Sequence, residues 1–105
     1  MQVIWTEPAR ADLEAIADYI AIEDPAAAAD LVRRVLRHVD QLAQQPNSGS
    51  RPPELGRSRF RQIVELPCRV FHRPDRDAVY ILHVMRSERV LMPTQLRERT
   101  KRPRT

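Results

Sequence analysis

Apolar positions recur with a helical period before residue 46 and alternate with a period of two after residue 56. Gln2 to Trp5 (QVIW) is a short apolar run that reads as an edge or pairing strand. Beyond it, Leu13, Ile16, Ala17 and Ile20 fall at i, i+3, i+4 and i+7, one face of a helix. Thr6 is placed to cap that helix, and Pro8 is tolerated in its first turn, where its missing N–H would be unpaired anyway. Asp12, Glu14 and Asp18 are expected on the solvent side, with Tyr19 partly buried. Asp24-Pro25 ends this helix and starts another, Asp24 as N-cap and Pro25 at the first helical position. Leu31, Val32, Val35, Leu36, Val39 and Leu42 form its wide apolar stripe, and Arg33, Arg34, Arg37 and Asp40 its wet face. Two amphipathic helices with so short a break form an antiparallel hairpin, and the surface available to bury their stripes is a sheet.

Residues 46–56 (PNSGSRPPELG) read as a loop by every local signal. Three β-type runs follow: Arg59 to Leu66, Cys68 to Arg73, and Ala78 to Arg86. Pro67 breaks the first junction and Pro74-Asp75-Arg76-Asp77 makes the second. Junctions this short predict an antiparallel meander. In the first run Phe60, Gln62, Val64 and Leu66 share one face, and Arg59, Arg61, Ile63 and Glu65 the other. The second run sets Arg69, Phe71 and Arg73 against Cys68, Val70 and His72. The third sets Val79, Ile81, His83 and Met85 against Tyr80, Leu82, Val84 and Arg86; it is apolar on both faces, so it should be central. The expected fold is α+β, with topology β-α-α-β-β-β and the N-terminal strand joining the sheet edge. Residues 1–92 make one domain. Val90-Leu91-Met92 adds a little strand or anchors a turn, and residues 93–105 are a basic tail, either a short helix or disordered.

Charge is distributed unevenly between the halves. Residues 1–50 hold four arginines against eight carboxylates, and residues 51–105 hold fourteen basic residues against six acids, so a net +4 conceals a basic sheet half. Such a surface is expected to meet an anion, either nucleic acid or an acidic protein segment. All the basic residues but Lys101 are arginine, which favours bidentate pairing with phosphate or carboxylate. Arg59, Arg61, Arg69, Arg86 and Arg89 are the candidates for a target-binding cluster; a solvated face is the plain alternative. Cys68 is the sole cysteine, which excludes an intramolecular disulfide and a Cys-based metal site, and its strand position predicts a buried hydrophobe. The two glycines, Gly49 and Gly56, lie in one loop and cannot build a glycine-rich phosphate cradle. No nucleophile elbow is present, which sets a serine hydrolase aside. A general nucleic-acid module wants stacking aromatics, and by alternation only Phe71 and Tyr80 share the arginine face. No secretory or membrane-spanning apolar run appears, so a cytoplasmic protein is expected.

The order of these segments resembles the RelE/ParE superfamily of type II toxin–antitoxin toxins. The resemblance covers residues 2–92 and rests on DLEAIADYI in the first helix, the loop PNSGSRPPELG, and the arginine-bearing strand SRFRQIV. CRVFHRP stands where the family reads Tyr/Tyr-Arg-Val-x-Tyr, and VYILHVMRSER where it reads I-x-x-V-x-H-x-R-R. The family implies one of two activities. RelE-like members cut mRNA on the ribosome without a metal, using a Lys/Arg cluster and a C-terminal Tyr. Here Arg59, Arg61, Arg69, Arg86 and Arg89, with His83 as base, would have to serve, because the sheet has no Lys and no Tyr follows Tyr80. His83 is the weak point, since a satisfied sheet histidine is the commoner situation; His72 sits by a turn far from Arg86, and His38 on the second helix. ParE-like members instead bind and poison DNA gyrase. The long paired helices and the missing Lys/Tyr set favour that branch.

The resemblance also implies a cognate antitoxin, whose acidic segment folds on binding, and a toxin–antitoxin hetero-oligomer of the plasmid-stabilisation type. Leu13, Ile16, Ile20, Val35 and Val39 are the expected apolar contacts for that segment. Neither a cofactor nor a metal is implied.

Overall fold

The computed structural model describes residues 1–101. Strand β1 (Gln2–Trp5) leads into helices α1 (Glu7–Ala21) and α2 (Pro25–Asp40). Single 3-10 turns at Gln41–Ala43 and Pro53–Leu55 bracket the loop. Strands β2 (Arg61–Glu65), β3 (Cys68–Pro74) and β4 (Ala78–Arg86) and helix α3 (Pro93–Lys101) complete the elements among the described residues. The strands form one sheet in the order β1-β4-β3-β2. The meander is antiparallel, while β1 returns beside β4 in parallel, Gln2 against Ala78 through Trp5 against Ile81. Strand β4 is thus central, as its two apolar faces require.

Both helix starts follow from their capping residues. Asp24 Oδ1 accepts the Ala27 N–H at 3.0 Å, with Pro25 in the first turn. Thr6 Oγ1 accepts the Ala9 N–H at 3.4 Å and donates to the Ile81 carbonyl at 2.7 Å, so a cap worth about 1 kcal/mol also ties α1 to β4. The main core lies between the helical hairpin and one sheet face. Leu13, Leu31, Val35, Val39 and Leu42 meet Ile63, Val70, Val79, Ile81 and Val84 there, beside the buried Cys68. Tyr19 was expected partly buried but is 70% exposed, because it points away from the stripe that packs on the sheet.

A smaller core covers the opposite sheet face, where Phe71, Leu82 and Met85 pack with Leu91 and Leu96. Leu91 adds no strand and anchors the approach to α3 by burial. Of the tail expected from the sequence, the stretch Pro93–Lys101 is helical and residues 102–105 lie outside the described residues.

The register of β4 departs from simple alternation. Phe71 pairs with His83 but His72 pairs with Ile81, so Leu82 is an extra residue in β4. The bulge moves His83 and Met85 off the face of Val79 and Ile81 and onto the face of Phe71, and returns Val84 and Arg86 to the main-core face. The expectation that His83 shares a face with Val79 and Ile81 is therefore corrected.

Gly49 fixes the loop against β2. Its φ is +91°, and a Cβ there would stand 2.1 Å from the Gln62 carbonyl oxygen, while neighbouring Ser50 bridges to Gln62.

Candidate functional site

The five arginines singled out by sequence do not assemble on one surface. Arg69 is 7% exposed and lies on the smaller-core face, its guanidinium 4.8 Å from the Phe71 ring centroid. Its Nε and Nη2 donate to Gln62 Oε1, its Nη1 and Nη2 to the two Glu54 oxygens at 2.9 and 2.7 Å, and its Nη1 also to the Arg89 carbonyl. That accounts for all five N–H donors of a guanidinium. Arg69 and the N–H of Leu91 hold the Glu54 carboxyl at about 2, far below its ordinary 4.5, against the opposing pull of burial.

Arg86 extends from the other face, opposite Cys68, and donates to Glu88 at 2.9 Å. Arg89 is exposed just beyond the strand. Arg59 and Arg61 lie at the far end of β2 from Arg86. Arg61 pairs in register with His72, and Arg59 approaches Asp75 at 4.0 Å. The arginines thus divide into a buried structural residue and two separated ends of the sheet.

His83 is 5% exposed, stacked on Phe71 at 5.7 Å, and committed to a network with Asp12 and Arg99. Its Nδ1 lies 2.8 Å from Asp12 Oδ2, which also accepts the Val84 N–H at 3.0 Å and Arg99 Nη1 at 2.7 Å. Arg99 Nη1 donates further to the Leu82 carbonyl at 2.7 Å. With those two protons spent, its close approach to His83 Nδ1 is packing, and Nδ1–H is the donor to Asp12. Strand β1 ends opposite Ile81, so two side chains replace a neighbouring strand along Leu82–Val84. Asp12, expected on the solvent side of α1, is recruited inward by that open edge. Burial pushes its carboxyl up, but the hydrogen bonds from His83, Arg99 and Val84 outweigh burial and hold it below the ordinary value.

The expected antitoxin contacts also lie deeper than an open surface. Val35 and Val39 are wholly buried, Leu13 is 6% exposed, and Ile16 and Ile20 pack against the main core. What the hairpin does offer is a groove of about 480 Å³ between α1 and α2. Trp5, Leu13, Ala17, Val32 and Leu36 line it, with Arg10, Glu14 and Asp18 among its charged residues. Leu36 remains 42% exposed because it lies on the margin of the α2 stripe, a position that the width of that stripe already suggested.

A second site missed by sequence lies on α2. Glu65 accepts Arg34 at 2.8 Å and meets His38 at 3.0 Å, clasping β2 to the helix. Among the described residues no cluster of His, Cys, Asp and Glu could hold a metal ion, and no helix is long and apolar enough to cross a membrane.

Comparison with known proteins yields concordant matches. Residues 3–91 fit the family model described as the ParE toxin of the type II toxin–antitoxin system parDE. The toxin candidate Y4kP of Sinorhizobium fredii is 39% identical over 84 residues, covering 80% of this chain and 85% of that protein. Toxin RelE2 of Caulobacter vibrioides is 35% identical over 85 residues, covering 81% and 90% respectively. A solved structure described as the chromosomal ParDE toxin–antitoxin system from P. aeruginosa superposes with a TM-score of 0.70 at 25% identity, over 82% of this chain and 95% of the other.

Proposed function

This chain belongs to the ParE toxin family of type II toxin–antitoxin systems, and from that premise we propose that it arrests growth by binding DNA gyrase in the cytoplasm until a cognate antitoxin neutralises it. The observation supporting binding over RNA cleavage is the dispersal of its cationic side chains. Metal-independent cleavage needs a base at the ribose 2′-hydroxyl and cations converging on one scissile phosphate. Arg69 has no donor left, Arg86 extends from the opposite face, and His83 is enclosed with Asp12 and Arg99. These groups do not converge.

For the antitoxin we propose the groove between α1 and α2. Its apolar floor accepts several side chains from one face of a partner helix, while its charged rim carries both signs, Arg10 for an acidic residue of that segment and Glu14 and Asp18 for a basic one. This replaces the buried stripe residues as the contact surface, and Leu13 alone belongs to both. Toxin and antitoxin then form the hetero-oligomer.

A supercoiling reaction with purified gyrase, run beside in vitro translation probed for mRNA cuts, tests the target. Gyrase-dependent linear DNA with intact mRNA is expected. Ribosome-dependent cuts with normal supercoiling would overturn the gyrase reading in favour of a RelE-like nuclease.

A further inference from the structure

We propose that the β3–β4 turn end of the sheet binds the phosphodiester backbone of a single-stranded nucleic acid, with Arg59 and Arg73 as its cationic contacts and Tyr80 as its stacking surface. The site uses Arg73 and Tyr80, which the gyrase and antitoxin reading leaves idle, and it stands whichever target the toxin attacks.

Arg73 and Tyr80 face each other across β3 and β4, with the guanidinium carbon 5.8 Å from the ring centroid. Arg73 Nε is buried with no hydrogen-bond partner. Arg73 Nη2 is 3.6 Å from one oxygen of Asp75, and Arg59 Nη2 is 4.0 Å from the other. Both separations exceed the roughly 2.7–2.9 Å of a charged N–H···O bond. One carboxylate therefore stands between two guanidinium groups without satisfying either, and the donors aimed at it are available to a better acceptor. Arg61 nearby makes a single 3.4 Å bond, to the Gly49 carbonyl. Arg57 and the turn residue Arg76 are exposed. Against these five arginines stand Asp75 and Asp77, leaving the region with a positive surplus.

The aromatic side of the argument also changes with the structure. Alternation offered Phe71 and Tyr80 as the platform, but Phe71 is fully buried. Phe60 and the half-buried Tyr80 instead pack against the same small core. A ring beside the under-used Arg73 guanidinium, with Arg59 across Asp75, is the combination that stacks a base while holding its phosphate. An acidic peptide fits less well. Strands β3 and β4 are both internal, so a peptide finds no edge here on which to add a strand.

The test is fluorescence anisotropy with labelled single-stranded DNA and RNA of one sequence, titrated with the purified full chain across a salt series. The logarithmic salt slope is expected to fall by about 0.7 for each of Arg59→Ala and Arg73→Ala. Tyr80→Ala should weaken binding at least about fivefold and Tyr80→Phe hardly at all. Arg33→Ala, on the exposed face of α2, should leave the slope unchanged. The tighter of the two strands identifies whether the natural ligand is DNA or RNA. Arg59 is 69% exposed at its side chain, so its loss reports binding without a folding defect even where Arg73→Ala is unstable. The proposal is overturned if Arg33→Ala lowers the slope as much as Arg59→Ala, or if binding is not saturable. It is equally overturned if polyglutamate of matched charge displaces the label as readily as unlabelled oligonucleotide.

Discussion

Glu54 and Arg69 form a two-pronged ion pair on the smaller-core face, 2.7 and 2.9 Å between their paired atoms, with both side chains largely sealed from water. The pair binds three separate segments. Glu54 belongs to the loop turn before β2 and also accepts the Leu91 N–H, and Arg69, on β3, reaches the Arg89 carbonyl. It thereby closes the small core that Leu91 and Leu96 complete.

Arg69→Ala should destabilise the protein by about 3 kcal/mol, because it strands a buried carboxylate. Denaturant unfolding, with Glu54→Gln and the double variant completing a cycle, measures this. A double variant no less stable than either single one would show that the pair, and not each residue alone, carries the effect.

Stability should fall in two successive windows as pH drops. His72 is wholly buried and its pKa falls from 6.5 to about 4, chiefly by burial; the Ser48 and Pro46 backbone opposes that shift, although neither ring nitrogen makes a hydrogen bond. A depressed folded pKa means that the unfolded chain binds the proton first. Stability is thus full above pH 6.5 and declines as pH falls towards 4, by about 3 kcal/mol. Glu54, at about 2 against 4.5, adds a loss between those lower values, since its contribution is present above 4.5 and disappears as pH falls. Melting temperatures of His72→Leu should lack the first decline and keep the second.

Arg99 caps the β4 edge beyond the end of β1, so Arg99→Ala should leave the Leu82 carbonyl and the Asp12 carboxylate short of a partner. Hydrogen exchange should quicken in α3 and at Leu82–Val84, with a stability cost of about 2 kcal/mol. Protection in the α1–α2 hairpin should change least. Uniform acceleration over the whole chain would show that the cap supports the global fold rather than one edge.

Leu36→Asp places a charge in the groove between α1 and α2 at a side chain already 42% exposed. Antitoxin affinity, measured by titration calorimetry, should drop at least about tenfold, while the melting temperature of the toxin moves little. Co-expressed antitoxin would then fail to rescue growth. Unchanged affinity would remove the groove from the antitoxin interface.

Most of the architecture was written in local pattern. Thr6 and Asp24-Pro25 set the helix starts, the helical stripe identified the core residues Leu13, Val35 and Val39, and the two short junctions dictated the meander. These follow from backbone sterics and burial of a periodic face, which act over a few residues and so are visible in the sequence. The family likeness was legible for the same reason, since it lay in the order of those segments.

Beyond the two helix caps, tertiary structure alone decided what these polar side chains do. The bulge at Leu82 reverses the facing of His83, because register depends on the partner strand and not on alternation within one strand. Asp12 turns inward because β1 stops opposite Ile81 and leaves an edge to satisfy. Arg69 is withdrawn from the cationic surface because Glu54, fifteen residues earlier, comes back to meet it. Charges and hydrogen bonds choose partners by distance in space, and that distance exists only once the chain has folded.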